Sequence, residues 1–184
     1  MPVATLRTAR LVLQPFDAGD ADLLVDLDGD PEVVHFITGG APTPRTEVEG
    51  EVLPAFLRER PGGYGYWKAS EDGAFAGFFQ LRPRPDAPPD EPELGYRLRR
   101  TAWGRGLGRE GAQALVDHAF ADLGARRVVA ETMVVNTRSR RVMEACGLVH
   151  VRTFHASWPV RIPGDEHGDV EYAITREAWA ARQG

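Results

Sequence analysis

The chain has 184 residues, of which 42% are hydrophobic and 27% are charged, and its formal net charge is −5. This length predicts one domain covering residues 1–184, which buries about 70% of the surface of the unfolded chain. The negative charge argues against a general nucleic-acid binder, and no apolar run reaches the ~18 residues of a membrane span. The N-terminal region lacks the apolar core of a signal peptide, so a cytoplasmic protein is expected.

Hydrophobic periodicity and turn residues predict the elements of the first half of the chain. Leu11–Leu13 is predicted as a strand, and Asp17 or Asp20 is positioned to cap a helix that runs to about Asp28. Pro31 predicts the start of a short second helix. The remaining elements are a helix over Thr43–Arg60, kinked near Pro54, and a hairpin of the strands Tyr64–Ala69 and Ala74–Leu81.

The second half of the chain alternates strands with helices. A proline-rich loop, Arg82–Pro92, precedes the strand Glu93–Leu98 and a glycine-rich loop. The elements predicted after that loop are a helix from Ala112 to Leu123, a strand over Arg126–Val135, a helix from Asn136 to Ala145, strands over Leu148–Trp158 and Val170–Thr175, and a short C-terminal helix carrying Trp179. The order β-α-α-β-β-β-α-β-α-β-β predicts an α/β (mixed α+β) protein with helices on the faces of a mixed sheet.

The segment Trp103–Gly111, WGRGLGREG, holds four glycines in nine residues and leads into the predicted helix. A helix N-terminus presents free N–H groups and the positive end of the helix dipole, so it attracts phosphate. Glycines let an anion approach the backbone closely, and Arg105 and Arg109 add positive charge. The segment therefore predicts a phosphate-binding loop, with a ligand-free glycine-rich turn as the alternative.

Gly106, Gly108 and Gly111 also match the dinucleotide pattern G-x-G-x-x-G, with Glu131 20 residues further on. Against this, the preceding residues Arg97–Thr101 are polar and basic where a buried parallel strand is required. No βαβ unit precedes the loop. A dinucleotide-binding protein is kept as an alternative.

Charge is unevenly distributed along the chain. Residues 17–51 carry ten acids and one arginine, whereas residues 97–109 carry five arginines and no acid. The basic run coincides with the glycine-rich loop, which favours an anion site there. The acidic run is either a solvated face or a surface that attracts a cationic ligand.

Cysteine and histidine usage gives no sign of metal chemistry. Cys146 is the only cysteine, so no internal disulfide or zinc ribbon is expected, and this side chain is predicted to be a small buried residue. The five histidines show no metal-ligand spacing such as H-E-x-x-H, so no metal site is predicted.

Three blocks of sequence resemble the GNAT superfamily of acetyl-CoA-dependent N-acetyltransferases, and its RimJ/RimL-type branch in particular. They are TARLVLQPFDAGDADLL near the start, ELGYRLRRTAWGRGLGREG in the middle and NTRSRRVMEACGL after the fifth strand. The resemblance covers nearly the whole chain. It implies a single domain with a mostly antiparallel, twisted mixed sheet of about seven strands, splayed in the middle and flanked by about four helices.

The resemblance assigns the glycine-rich loop to the pyrophosphate of coenzyme A, so acetyl-CoA is the expected cosubstrate. Trp103 replaces the leading arginine or glutamine of the family's loop, as is usual in the RimJ/RimL branch. The splayed strands imply a pantetheine arm beside Tyr96–Leu98, and Arg100 is a further candidate for the remaining phosphates. The cofactor-binding residues implied are Tyr96, Arg97, Leu98, Arg99, Trp103, Gly104, Arg105, Gly106, Leu107, Gly108, Arg109, Asn136 and Ser139.

The implied reaction needs a base for the amine and a proton for the departing thiolate. Glu93 is the first candidate for the base, with Glu131 on the neighbouring strand and water as alternatives. Asn136 and Ser139 match the family's N-x-x-S, which implies that Asn136 binds the pantetheine and Ser139 the sulfur, although the pair also fits a helix cap. Many members carry a tyrosine acid where this chain has Met143, which leaves the acid role to Ser139, to water or to no specific group.

The predicted function is transfer of an acetyl group from acetyl-CoA, by direct attack, to a primary amine of a protein N-terminus or a small molecule. The acidic run 17–51 favours a basic N-terminus or a polyamine as the acceptor. A monomer or a homodimer is expected, with no nucleic-acid or membrane partner. A non-catalytic acyl-CoA-binding module and the dinucleotide-binding protein stay open as alternatives.

Overall fold

The computed structural model describes residues 3–85, 87–157 and 160–184, which fold around one eight-stranded sheet. The strands are β1 (Leu6–Arg7), β2 (Leu11–Pro15), β3 (Gly65–Glu71), β4 (Ala74–Arg82), β5 (Glu93–Leu98), β6 (Arg127–Met133), β7 (Val149–Phe154) and β8 (Asp169–Thr175). The α-helices are α1 (Ala21–Asp28), α2 (His35–Thr38), α3 (Arg45–Glu47), α4 (Leu53–Leu57), α5 (Leu107–Ala121), α6 (Thr137–Ala145) and α7 (Arg176–Ala180). A π-helical turn, Val48–Val52, joins α3 to α4.

The strands follow the order β1-β2-β3-β4-β5-β6-β8-β7 across the sheet. Neighbours are antiparallel except β5 and β6, which run parallel and share a single registered pair, Glu93 with Val129. Because no other residues of these two strands are in register, the sheet opens in its middle. The predicted splayed, mostly antiparallel sheet is confirmed, with β1 as an additional strand and with several short helices beyond the four expected.

The long helix α5 covers one face of the sheet. Its apolar residues recur at helical spacing, and Leu115, Val116 and Phe120 are fully buried. Gly111 allows the helix to approach β4 closely, because a Cβ at this position would clash with the ring of Phe79. The N-terminus of α5 is thereby fixed beside the opening in the sheet.

The opposite face is covered by α1 and by the helical segment from α3 to α4. Phe56 stacks on Tyr66 with ring centroids 3.8 Å apart, and both rings contact Phe78 of β4. The π-helical turn lies directly before Pro54, which has no N–H to continue the α-helical ladder. The irregularity predicted near this proline is observed as a change from π-helical to α-helical hydrogen bonding, and the helical segment ends at Leu57, earlier than predicted.

Two predicted helix starts are wrong. Helix α5 begins at Leu107 and not after Gly111, because Gly106, with a φ of 81°, makes the turn into the helix. The helix predicted from Pro31 begins at His35, since the chain first makes an isolated turn over residues 31–34.

The N-terminus of α1 lies where it was predicted, but its capping differs. Asp20 precedes the helix, yet its carboxylate accepts hydrogen bonds from Lys68 and from the N–H of Asp17 and none from the helix itself. The strand predicted over Leu148–Trp158 is observed as β7, and Trp158 lies outside the described residues. No helix in the described part of the chain is long and apolar enough to cross a membrane.

Candidate active site

A cleft of about 550 Å³ lies where β5 and β6 separate. Its walls come from these two strands, the glycine-rich loop before α5, the start of α6, and α2. Glu93, Tyr96, Asn136 and Ser139 all line this cleft, although they come from separate parts of the sequence. The fold therefore brings most of the predicted site residues together.

The glycine-rich loop forms one end of the cleft. Gly104 and Gly106 have φ angles of 71° and 81°, a region that other residues rarely adopt. Trp103 fixes the loop to β5, because its indole Nε1–H donates to the carbonyl oxygen of Leu98 at 2.9 Å. The first N–H groups of α5 follow directly, and a helix start of this kind is suited to bind phosphate.

Most arginines of the basic run are already bound to carboxylates. Arg97 Nη1 lies 2.5 Å from Asp28 Oδ1, and Arg105 Nη1 lies 2.7 Å from Glu71 Oε2. Arg99 pairs with Asp26. Of these three arginines only Arg97 lines the cleft.

Arg100 is similarly engaged, since its Nε lies 2.5 Å from Asp30 Oδ2. The side chain of Leu107 is fully buried in the core and is absent from the cleft wall. The side chains of Arg99 and Arg105 therefore lie outside the cleft wall, whereas Leu107 is the first residue of α5, so a contact of its N–H with the cofactor stays a prediction.

Three other arginines line the cleft as free charges. Arg109, Arg138 and Arg141 are exposed and make no salt bridge with any residue in the described ranges. The guanidinium carbon of Arg138 lies 3.9 Å from the ring centroid of Trp103. Their unpaired positive charge, together with the open glycine loop, is suited to bind phosphate groups.

The acidic run is largely neutralised as well. Eight of its ten acids are ion-paired, and Glu47 and Glu51 alone in this run make no salt bridge to a described residue. Several partners are the arginines of residues 97–100. The first three arginines of the basic run are thus counterions of four acids in the acidic run.

Asn136 and Ser139 lie at the start of α6. Asn136 Oδ1 accepts a hydrogen bond from the N–H of Ser139 at 3.3 Å, and its Nδ2 donates to Thr132 Oγ1 at 3.0 Å. The predicted helix cap is confirmed by this geometry. Both residues also line the cleft, so the capping role leaves them available to a ligand.

The hydroxyl of Tyr96 lies 3.1 Å from Ser139 Oγ and 3.0 Å from the carbonyl oxygen of Ser139. Burial raises the pKa of this phenol, so it stays protonated throughout the physiological range. Met143 is 2% exposed and offers no proton. A tyrosine therefore does lie beside the serine, but it comes from β5 and not from α6.

Glu93 and Glu131 are the carboxylates of the cleft. Glu93 is held by Arg82, whose Nε and Nη2 donate to its two carboxylate oxygens at 3.0–3.1 Å. Glu131 Oε1 accepts from Arg84 Nη2 at 3.2 Å. Burial, and then the negative charge of Glu93, raise the pKa of Glu131.

Sequence reasoning missed several of these features. Arg138 and Arg141 are three residues apart on a predicted helix, so their shared face was a usable signal. Arg84 gave no such signal, because its partner Glu131 lies 47 residues further along the chain. The Tyr96 hydroxyl contact depends on how β5 faces α6, which no local pattern encodes.

Cys146 is buried, as predicted, and burial raises the pKa of its thiol to about 11. A thiol with this pKa is not an activated nucleophile. Among the residues that the structure describes, no group of three or more His, Cys, Asp or Glu side chains is arranged to hold a metal ion.

Residues 10–149 match the Acetyltransferase (GNAT) domain. The FsC-acetyl coenzyme A-N(2)-transacetylase of Aspergillus fumigatus is 38% identical, and the match covers 97% of this chain and 79% of that protein. RimL, a ribosomal L7/L12 alpha-N-protein acetyltransferase solved with coenzyme A, gives a TM-score of 0.78 at 21% identity over 95% of this chain and 99% of that chain. The spermidine N-acetyltransferase of Vibrio cholerae, solved with CoA and spermine, gives a TM-score of 0.76 at 13% identity, over 94% of this chain and 99% of that chain.

The domain match spans the glycine-rich loop, both cleft carboxylates and the start of α6. The two solved structures share the fold of this chain and were obtained with coenzyme A. Members of this family use acetyl-CoA, and the curated relative is named for its transacetylase activity. The chain belongs to the GNAT acetyltransferases and is an acetyl-CoA-dependent N-acetyltransferase.

Proposed function

We propose that this enzyme acetylates a primary amine of a small molecule, with the amine entering the cleft between β5 and β6 beside Glu131. The observation that carries the proposal is the 38% identity, over nearly the whole chain, to a transacetylase whose name specifies acetyl coenzyme A and an N(2) nitrogen. The likeness to RimL is at 21% identity and supports the fold alone. The RimJ/RimL-type assignment, and with it a protein N-terminus as acceptor, stays a prediction.

The coenzyme end of the cleft is the glycine-rich loop. Its positive-φ glycines and the free N–H groups of α5 receive the pyrophosphate, and Arg109, Arg138 and Arg141 supply mobile positive charge. The backbone of Tyr96–Leu98 and the side chain of Asn136 lie along the path towards the opening in the sheet. Acetyl-CoA supplies the acetyl group, which moves from sulfur to the acceptor nitrogen.

Glu131 serves as the base in this proposal, and Glu93 takes the role of a fixed neighbouring charge. Glu93 is held by Arg82 through both carboxylate oxygens, so a guanidinium already occupies the atoms that would accept a proton from the amine. Glu131 has a raised pKa, closer to neutrality, where a general base is most effective. An α-amine with a pKa of ~8 is already about one-tenth neutral at pH 7, so a modest base suffices.

In this proposal Ser139 donates a hydrogen bond to the departing sulfur. The Tyr96 hydroxyl orients the hydroxyl of Ser139. Tyr96 itself remains protonated, because burial raises the pKa of its phenol. A phenol this weakly acidic does not hand its proton to a thiolate, whose conjugate acid has a pKa of ~8.5. Tyr96 therefore fixes Ser139, and water or the newly acylated nitrogen supplies the proton.

The neutralised acidic run argues against a strongly cationic acceptor. Its carboxylates hold Lys68, Arg45 and the arginines after β5, so little uncompensated negative charge is left to attract a polyamine. Val33, Phe36 and Ile37 give the acceptor side of the cleft an apolar wall. A compact amine with an apolar or neutral neighbouring group fits these surroundings best.

The test is release of free thiol from acetyl-CoA with three classes of acceptor at equal concentration. These are small α-amines blocked as amides, short peptides with a free N-terminus, and polyamines. The proposal expects the highest kcat/KM with the small amides, with acetylation of the amine verified by mass spectrometry. A strong preference for long peptides or for polyamines would contradict it.

A further inference from the structure

The two cleft carboxylates are each held by an arginine from one short segment at the end of β4. Arg82 binds Glu93, and Arg84 binds Glu131. Arg84 is flanked by Pro83 and Pro85, which restrict the backbone on both sides of it. Arg84 is 19% exposed, so it lies largely within the protein.

Arg84 has a second carboxylate within reach. The same nitrogen, Nη2, lies 3.2 Å from Glu131 Oε1 and 3.5 Å from Glu171 Oε2. Glu171 lies on β8 and is 5% exposed at its side chain. Arg127 and Arg152 also donate to it, so this carboxylate is a buried anionic centre that stays ionised. Burial opposes that ionisation, but the hydrogen bonds to arginine outweigh it and lower the pKa of Glu171.

We propose that Arg84 is a positioning residue that holds Glu131 at the cleft wall in the free enzyme and moves to Glu171 when a protonated amine binds. The inference rests on the proposed function, because it requires Glu131 to receive the amine. The incoming ammonium takes the place of the Arg84 guanidinium on Glu131, so the carboxylate is never left without a cation. The released guanidinium remains paired, with Glu171 as its acceptor.

This exchange gives Arg84 opposite effects before and after binding. The charged groups that act on Glu131 are Glu93 from β5, Glu171 from β8, Arg152 from β7 and Arg84 itself. In the free enzyme the positive charge of Arg84 opposes the rise in the pKa of Glu131 and favours its ionised form, which attracts the ammonium. Once Arg84 has moved away, the pKa of Glu131 rises, and the carboxylate accepts the proton of the amine more readily.

The proposal therefore predicts different effects of an Arg84 substitution on the pH profiles of kcat/KM and of kcat. The profile of kcat/KM reports ionisations of the free enzyme, whereas the profile of kcat reports those of the enzyme with substrate bound. In Arg84→Gln, the acidic limb of kcat/KM is expected to move to higher pH by about one unit, because a neighbouring positive charge is lost. The acidic limb of kcat is expected to stay in place.

Two variants control the experiment. Arg84→Lys keeps the charge and is expected to return the kcat/KM limb towards that of the native enzyme. Arg58→Gln removes an exposed arginine that makes no ion pair with any described residue and is expected to leave both profiles unchanged. Affinity for acetyl-CoA, measured by calorimetry, establishes that each variant is folded.

The result separates the inference from the proposed function. If Arg84→Gln transfers acetyl groups with an unmoved kcat/KM limb, or if both limbs move together, the inference about Arg84 is wrong while the proposed function stands. If the native enzyme acetylates no small amine at all, the proposed function itself is wrong.

Discussion

Arg97 Nη1 lies 2.5 Å from Asp28 Oδ1, so the strand that lines the cleft is joined to the C-terminal end of α1 by a buried ion pair. Asp28 is 2% exposed, and Arg97 also lies over the ring of Phe78 at 5.4 Å. The contact connects the two oppositely charged runs through residues that are 69 positions apart in the sequence. It explains why Asp28 and Arg97 are not available to an external ion.

Replacing Asp28 tests how much this ion pair contributes to the free energy of unfolding. Asp28→Ala leaves Arg97 without its carboxylate in a largely buried position, so the free energy of unfolding is expected to fall by about 3–5 kcal/mol. Asp26→Ala breaks an exposed pair with Arg99, and its expected cost is below about 1 kcal/mol. Urea denaturation of both variants measures the difference. Equal losses would show that the buried pair has no special role.

Because α5 approaches β4 closely at Gly111, substitutions at Gly111 and at Gly50 are expected to change the stability of the fold by different amounts. Gly111→Ala places a methyl group against the ring of Phe79, which is expected to destabilise the fold by about 1–3 kcal/mol. Gly50→Ala is the matched control, since a Cβ at Gly50 meets no atom within 4 Å and its φ is not in the left-handed region. Thermal unfolding should show a lower Tm for the first variant, and an unchanged or higher Tm for the second. A stable Gly111→Ala protein would contradict the described helix position.

The choice among the arginines is open to a kinetic test. Arg138→Gln is expected to raise the KM for acetyl-CoA roughly tenfold, because a charge-assisted phosphate contact contributes about 1.4 kcal/mol or more. Arg99→Gln should change that KM less than twofold, since Arg99 is paired with Asp26 and lies outside the cleft wall. Initial rates at saturating amine compare the two variants. A larger effect at Arg99 would restore the prediction made from the sequence.

Assignment of the base predicts unequal effects of two isosteric changes. Glu131→Gln removes the proton acceptor and is expected to lower kcat about 100-fold or more. Glu93→Gln removes only a neighbouring charge, so its expected effect is smaller, and it should shift the acidic limb of the kcat/KM profile to lower pH. The sign follows because the negative charge of Glu93 raises the pKa of Glu131. The reverse order of effects would assign the base to Glu93.

The fold was largely predictable because its determinants are local. The apolar runs of β3 and β4, the tight turn at Asp72-Gly73 and the helical periodicity of α5 each lie within a short window. The strand Glu93–Leu98 was predicted with the bounds that the structure gives. Helix starts were less predictable. The glycines at the start of α5 are typical of a loop in the sequence, and only their close contacts with the sheet show that they belong to a helix.

The site was predictable where a short motif specifies both the local backbone structure and the groups that could bind a ligand. The glycine loop and the N-x-x-S segment fall together at the cleft because each marks a helix start. The arginines could not be sorted by sequence, since whether one is free depends on a partner about 70 residues away. The contact between Arg84 and Glu131 could not be predicted either, because these residues are 47 positions apart in the sequence.

The expectation of a monomer or homodimer stays a prediction.

Calorimetric titration of the purified native protein with acetyl-CoA, and separately with NADH, tests the central claim most directly. The cleft between β5 and β6 is expected to bind acetyl-CoA at one saturable site per chain and to give no saturable heat with NADH. Saturable binding of NADH without binding of acetyl-CoA would contradict the assignment of the glycine-rich loop and of the cleft to coenzyme A.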